Sequence, residues 1–217
     1  MSEGARLEIT RVGGSLFARG YVHATAGNIS ARVDGGYVIT PTDACLGFLD
    51  PAALAFVDEA GVQQSGERAS KTLALHRAIY AADPGAHCVI HTHSTHLVAL
   101  TLAGVWSAAD VLPPITPYFV MKVGHVPAVT YRRPGDPEVA ATVSALIQSA
   151  RERGTPIRAV LLDRLGPVVW HETPAAAMAL LEELEETAKL WLMSNPKPAP
   201  LDAEPLAELR AQFGAVW

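Results

Sequence analysis

The segment CVIHTH, residues 88–93, combines a short apolar run with two histidines two positions apart. A short apolar run of this kind predicts a buried β-strand. Because residues i and i+2 of a strand point to the same face, His91 and His93 are expected to converge at the end of that strand. Two converging imidazoles indicate a site for a divalent metal ion. The sequence offers no obvious third and fourth ligand.

The composition excludes several classes of protein. At 217 residues the chain can bury a full core, and we expect one domain over residues 1–217 with a C-terminal tail at about 196–217. A net charge of −5 disfavours nucleic acid or an anionic membrane as a partner. No segment approaches the roughly 18 apolar residues of a membrane span, and no signal-peptide pattern opens the chain. Two cysteines make no disulfide framework, so we expect a cytoplasmic globular protein.

Hydrophobic periodicity predicts an α/β fold with a mixed sheet, because helical and strand patterns interleave along the chain. The predicted helices lie at about 4–19, 70–82, 95–103, 137–153, 174–194 and 203–213, with Ser70 as an N-cap. The predicted strands lie at 29–33, 37–40, 88–93, 159–162 and 168–170, with a hairpin around 56–62 and a β-rich stretch at 115–129. The hydrophobic content of 49% with only 18% charged residues also favours an oligomer.

A set of short motifs occurs in the order typical of one family. They are Gly27-Asn28-x-Ser30, Thr40-Pro41-Thr42, Ser70-Lys71, His91-x-His93 and Gly166-Pro167. In this order and spacing the chain resembles the class II aldolase/adducin family over about residues 7–194. The phrases TPTDACLGFLDP, HTHSTH and PITPYFVMKVGHVP make it most similar to the 3-oxo-tetronate 4-phosphate decarboxylase branch. The resemblance implies a three-layer αβα sandwich around a largely antiparallel sheet, assembled as a cyclic homotetramer with active sites between subunits.

The resemblance also implies a divalent metal, most typically zinc, held by three histidines with a glutamate nearby. His91 and His93 match two of those histidines. The chain departs from the family at the other two positions, with Thr72 in place of the glutamate and Leu165 in place of the third histidine. Leucine cannot bind a metal, and threonine cannot act as a carboxylate base. The candidates for a replacement ligand are His96 and His125.

The resemblance assigns further residues to the substrate. Those matching a phosphate-binding set in relatives are Asn28, Thr42, Ser70 and Lys71. Asp43 stands where the family prefers glycine, and its carboxylate would repel a phosphate, so a non-phosphorylated acid is an alternative substrate. Tyr118 lies in a region from which relatives recruit a tyrosine acid across the subunit interface. Purely structural roles also stay open, for Ser70 as a cap, Asn28 in a turn and Tyr118 in an interface.

The leading hypothesis is a metal-dependent carbon–carbon lyase that acts through an enediolate on a small sugar acid or keto acid. Loss of CO₂ needs no base to remove a proton, so Thr72 favours a decarboxylase over an aldolase. One alternative is isomerase or cyclase chemistry on the same fold with weak or no metal binding. Another is a non-catalytic adducin-like binding module.

Overall fold

The computed structural model describes residues 2–217. The helices are α1 (Ser2–Ala18), α2 (Leu73–Ala82), α3 (Thr95–Ala103), α4 (Pro117–Lys122), α5 (Pro137–Glu152), α6 (Pro174–Met193) and α7 (Ala203–Phe213), with a short 3-10 helix at Leu46–Phe48. The strands are β1 (Asn28–Val33), β2 (Gly36–Ile39), β3 (Ala55–Asp58), β4 (Gln63–Ser65), β5 (Cys88–His91), β6 (Ala128–Val129), β7 (Ala159–Leu162) and β8 (Gly166–His171). Among these described residues, no helix combines the length and hydropathy needed to cross a bilayer.

The strands of the described residues form one sheet in the order β4-β3-β2-β1-β5-β8-β7-β6. Its pairings are antiparallel except that of β6 with β7, which is parallel. The histidine strand β5 is central, with β1 on one side and β8 on the other. His91 lies opposite Asn28 of β1 and Val168 of β8. The prediction of a largely antiparallel mixed sheet is confirmed.

Alternation along the central strands separates two layers of helices. Cys88 and Ile90 of β5 face one apolar cluster, which is completed by residues of α1, α3 and α6. Val89 faces the opposite cluster, which is completed by residues of α2 and α5. Period-2 alternation is what lets one strand supply both cores. The sheet is therefore the middle layer of an αβα sandwich, as predicted.

The β-rich stretch predicted at 115–129 is wrong over most of its length. Pro117–Lys122 forms helix α4, and a strand occupies only Ala128–Val129. The Thr116 side chain accepts a hydrogen bond from the Phe119 amide at the N-cap, and Pro117 occupies the first turn. These two start signals outweigh the strand preference of Phe119 and Val120, which are buried against the core.

Two predicted element boundaries near the site are also wrong. Helix α2 begins at Leu73 with Thr72 at its N-cap position, so Ser70 is not the cap. The Ser70 amide instead donates to the Thr40 carbonyl at 3.2 Å, which joins this segment to the loop after β2. Strand β5 ends at His91, so His93 lies beyond the strand, in the connection to α3.

Candidate active site

His91 and His93 lie at the end of β5 and point toward the same space. The His91 side chain is buried, whereas His93 is half-buried. Their ring centroids are 5.1 Å apart with an interplanar angle of 60°. Two imidazoles on one tetrahedral zinc ion, with Zn–N bonds of roughly 2.0–2.1 Å, would have ring centroids about 5 Å apart. The two histidines therefore converge as predicted, although His93 is placed by the turn after β5 and not by the strand itself.

The hydrogen bond made by His91 fixes which of its nitrogens faces the cavity. His91 Nδ1 lies 2.8 Å from the carbonyl oxygen of Pro167. A carbonyl can only accept, so Nδ1 carries the proton and Nε2 carries a free lone pair. Burial, the largest cause, lowers the pKa of His91 to about 4, so the ring is neutral at pH 7. A neutral imidazole whose other nitrogen donates to a backbone carbonyl has the arrangement of a metal ligand.

His93 is held in the neutral form by a similar cause. Burial lowers its pKa, and electrostatic interaction with His23 adds a smaller contribution. Gly27 packs beneath the pair, with φ at +86°, and a Cβ there would lie 2.7 Å from the His91 carbonyl oxygen. Only glycine satisfies both the left-handed conformation and this close approach. The glycine in the Gly27-Asn28 motif thus shapes the floor of the site.

A cavity of about 390 Å³ opens beside the two histidines. Its polar lining consists mainly of Asn28, Thr42, Asp43, Ser70, Lys71, His91 and His93. Its aliphatic lining includes Leu75, Val139, Leu162 and Leu165. The structure therefore brings the predicted metal ligands and the predicted substrate-binding residues to one cavity.

The polar part of the cavity is built from β1 and two paired loops. The Thr42 amide donates to the Arg68 carbonyl at 2.9 Å, and Pro41 forms a β-bridge with Ala69. This pairing places the Thr42 loop against the segment that leads into α2. Asp43 has φ at +58°, a left-handed conformation in which glycine is less strained. The family preference for glycine at this position has that conformational reason.

Asn28 has an unsatisfied polar atom in the cavity wall. Its side-chain oxygen is buried and has no hydrogen-bond partner among the described residues. Leaving such an atom unpaired costs roughly 1–3 kcal/mol. Ser70 is partly satisfied, since its hydroxyl lies 2.9 Å from that of Thr72. The Lys71 side chain is exposed at the cavity edge and can approach an anionic ligand.

The two departures from the family pattern also lie at the cavity. Thr72 and Leu165 both line it, at the positions expected for the glutamate and the third histidine. Within residues 2–217, no group of three or more His, Cys, Asp or Glu side chains is arranged to hold a metal ion. His91 and His93 fit a divalent ion as two of its ligands. A catalytic zinc site usually has three protein ligands plus water, so an ion held by these two histidines would need further ligands from substrate, water or a neighbouring subunit.

The structure places both candidate replacement ligands elsewhere. His96 lies on the first turn of α3, and its Nδ1 is 2.8 Å from Glu185 Oε1. His125 Nδ1 lies 2.9 Å from Asp110 Oδ1, and its ring stacks on Trp217 at 4.5 Å between centroids. Neither histidine lines the cavity. The hypothesis that either one completes the metal site within its own chain is therefore wrong.

Tyr118, like the two replacement-ligand candidates, lies away from the cavity. It occupies the first turn of α4 and is 61% exposed. It does not line the cavity of its own chain. Its predicted role as an acid therefore requires a neighbouring subunit.

Glu185 is a positioning residue that the sequence analysis missed. It is buried, and its carboxylate accepts hydrogen bonds from the backbone amides of His96 and Leu97 at 2.8 and 2.9 Å. These are first-turn amides of α3, so a residue of α6 caps the helix that begins two positions after His93. The only signal was a glutamate on the apolar side of a helix, within a run of four acidic residues.

A second buried hydrogen-bond network lies behind the site. His76 Nδ1 lies 2.8 Å from Ser30 Oγ, which lies 2.7 Å from the Tyr80 hydroxyl. Ser30 is two residues beyond Asn28 on β1, so both side chains point to the same sheet face. This network joins α2 to β1 directly behind the histidine pair.

Comparison with known proteins gives consistent matches over nearly the whole chain. The Class II Aldolase and Adducin N-terminal domain model matches residues 7–192. A 3-oxo-tetronate 4-phosphate decarboxylase of Cupriavidus necator is 58% identical, covering 98% of this chain and 97% of that protein. The Escherichia coli protein of that name is 40% identical over 97% of each chain.

Two solved structures have the same fold. The crystal structure of YgbL from Klebsiella pneumoniae superposes with a TM-score of 0.88 at 39% identity, covering 97% of this chain and 99% of that one. The L-fuculose-1-phosphate aldolase of Thermus thermophilus superposes with a TM-score of 0.74 at 28% identity, covering 90% and 98%. The αβα sandwich described above is the fold of these proteins.

Proposed function

The chain belongs to the class II aldolase and adducin family and is a lyase of the aldolase and decarboxylase type, and on that basis we propose that it removes CO₂ from a small 3-oxo sugar acid. The observation that carries the proposal is the meeting of His91 and His93 with the Ser70-Lys71 segment at one cavity. The relatives named 3-oxo-tetronate 4-phosphate decarboxylase support this reaction over other family activities.

We propose that His91 and His93 would hold a divalent ion, zinc by preference, which when bound would supply Lewis-acid stabilisation of negative charge on the substrate carbonyl oxygen. His91 contributes a preset lone pair, because its other nitrogen is tied to the Pro167 carbonyl. Thr72 cannot serve as a carboxylate base. Decarboxylation does not need one, since the electron pair that forms the enediolate comes from the breaking carbon–carbon bond.

The charged end of the substrate belongs at the other side of the cavity. Asn28, Thr42, Ser70 and Lys71 offer amide, hydroxyl and ammonium groups that suit a phosphate. We propose a phosphorylated substrate, in keeping with the names of the relatives. Asp43 opposes this charge, but its side chain is exposed, where water and salt screen the repulsion. A non-phosphorylated acid is the alternative that Asp43 would favour.

The enediolate must then take up a proton at carbon. Tyr118 is exposed, and we propose that it reaches the cavity of a neighbouring subunit in a homotetramer and donates this proton. A tyrosine hydroxyl is a suitable donor because the enediolate is a strong base. Water is the competing donor, and replacing Tyr118 by phenylalanine separates the two.

The direct test supplies 3-oxo-tetronate 4-phosphate to the purified protein and measures CO₂ release. Lys71→Met should lower kcat/KM about 10- to 100-fold, because a contact to a charged group contributes roughly 1.5–3 kcal/mol. Lys189→Met, at the surface on α6, is the matched control and should leave the rate unchanged. The non-phosphorylated acid should be a poorer substrate and should be insensitive to Lys71→Met.

Two results would contradict the proposal. Consumption of the substrate without CO₂ release would favour the isomerase or cyclase alternative. A faster reaction with the non-phosphorylated acid would remove the phosphate from the proposal and assign Asp43 a role in selecting that substrate.

A further inference from the structure

An aliphatic wall closes one side of the active-site cavity. Val139 and Leu162 are buried members of the core cluster beneath α2 and α5, and Leu75 and Leu165 pack against that cluster. All four side chains line the cavity. His91 faces the same side of the sheet, because its strand partner Val168 belongs to the same cluster. The wall is thus the open edge of a packed core beside the histidines.

Leu165 is held against the histidine segment by a tight turn. Its amide donates to the Leu162 carbonyl at 3.1 Å, and Gly166 follows it with φ at +108°. A Cβ on Gly166 would overlap the Thr92 carbonyl oxygen and would lie 3.2 Å from the His93 Cα. The turn between β7 and β8 therefore packs directly on the backbone between the two histidines. Leu165 is fixed beside them, where the family has its third histidine.

The charges near this wall are few and compensated. Arg133 and Asp136 line the cavity mouth, where the Arg133 Nε lies 3.9 Å from Asp136 Oδ2. The Arg133 side chain is 72% exposed, and Asp136 also caps α5 through the Glu138 amide at 3.1 Å. Among the described lining residues, the polar anchors lie on β1, on the loop after β2 and on the segment leading into α2, and the wall itself is aliphatic.

We propose that the departing carboxylate of the substrate lies against the wall formed by Leu75, Val139, Leu162 and Leu165. This rests on the proposed decarboxylase function. With the phosphate at the Ser70-Lys71 end and the carbonyl at the histidines, the carboxylate extends toward the remaining side of the cavity. Against these aliphatic side chains it loses hydration, which destabilises the charged ground state. Leucine at position 165 therefore promotes the loss of CO₂.

The bond changes follow from this placement. The bond between the carboxylate carbon and C2 breaks, and its electron pair forms the C2=C3 double bond. The C3 carbonyl electrons move to oxygen, which gives the enediolate, and neutral CO₂ leaves along an apolar surface. One proton is then added at C2, so the carboxylate form of the substrate and one proton give the ketone product and CO₂. Negative charge moves away from the wall during the step, which is why an apolar wall accelerates it.

The test replaces Leu165 by asparagine, which is similar in size and offers hydrogen bonds to the carboxylate. If the wall acts by desolvation, Leu165→Asn should lower kcat about tenfold and also lower KM several-fold, because ground-state strain is removed. Binding of the decarboxylated product as an inhibitor should not change, since it has no carboxylate. Leu165→Met keeps the wall apolar and should not lower KM. Leu102→Asn, at a 62% exposed leucine, is the control for the substitution itself.

The possible outcomes separate this inference from the proposed function. A wild-type protein that releases no CO₂ contradicts both. A wild-type decarboxylase whose Leu165→Asn variant shows an unchanged or higher KM overturns the role of the wall alone. If Leu165→Asn does not fold, Val139→Thr provides the same comparison with a nearly identical shape. In that variant, a lower kcat with a lower KM supports the inference, and a raised KM overturns it.

Discussion

Replacing His76 by asparagine should make the protein more resistant to acid. His76 is fully buried, and its Nε2 has no hydrogen-bond partner among the described residues. A protonated imidazole donates from both nitrogens, so the charged form would leave an N–H group unsatisfied. Burial, with a smaller contribution from the charge of His91, lowers the pKa of His76 to about 3. The folded protein therefore excludes a proton that the unfolded chain accepts.

The size of the effect follows from the two pKa values. The unfolded side chain has the ordinary value of 6.5, against about 3 in the folded protein. Between these values the unfolded state binds more protons, so the free energy of unfolding falls as the pH falls below 6.5. Each pH unit in this window corresponds to about 1.4 kcal/mol. From pH 7.5 to pH 4.5, His76 alone should therefore remove roughly 3 kcal/mol of stability.

Urea unfolding at pH 7.5 and pH 4.5, at one protein concentration, measures this directly. His76→Asn keeps a polar group near Ser30 Oγ but cannot titrate. The free energy of unfolding of the variant minus that of wild type should be about 3 kcal/mol larger at pH 4.5 than at pH 7.5. His87→Asn, at an exposed histidine, should keep the wild-type pH dependence. If the free energy of unfolding of His76→Asn differs from that of wild type by the same amount at both pH values, then His76 does not cause the loss of stability in acid.

Three further predictions concern the surroundings of the histidine pair. Gly27→Ala should destabilise the fold by about 2 kcal/mol or more and weaken metal binding, because the alanine Cβ would lie 2.7 Å from the His91 carbonyl oxygen in a left-handed conformation. Thermal unfolding and metal titration measure the two effects. Wild-type values in both measurements would contradict this prediction. Glu185→Gln weakens the cap on α3, so the free energy of unfolding in urea should fall by about 1–2 kcal/mol. The variant should also have a lower kcat with little change in KM. An unchanged free energy of unfolding would show that the cap contributes nothing. The double variant Thr72→Glu with Leu165→His restores the family's ligand set and should bind zinc more tightly than wild type in a competitive chelator assay, which equal affinities would exclude.

The sequence predicted the sheet because its signals were local and strong. Turn residues join β1 to β2 and β7 to β8, and both hairpins lie near the predicted positions. The class of fold required the family resemblance, since strand order depends on pairings between distant segments. The stretch around Pro117 has a strand-like composition but forms a helix, because its strand-forming residues follow an N-cap and a first-turn proline.

The candidate site was predicted in part, and the failures share a physical cause. The Gly27-Asn28, Ser70-Lys71 and histidine segments do meet at one cavity, as the motifs indicated. The partners of His96 and His125 could not be foreseen, because Glu185 and Asp110 lie 89 and 15 residues away in sequence. Glu185 stands among closely spaced glutamates that by themselves indicate a solvated helix face, and only the packing of α6 against α3 shows it buried. Contacts between distant segments determine side-chain roles that local patterns do not reveal.

In the proposed decarboxylase site, His91 and His93 together bind a divalent ion. The metal content of tag-free protein after dialysis against zinc, for wild type beside His91→Ala, tests this binding. Wild type should hold close to one ion per chain, and the variant should lose both the ion and the release of CO₂. Equal metal content in the two proteins, or wild-type protein that decarboxylates its substrate after all metal is removed, would contradict it.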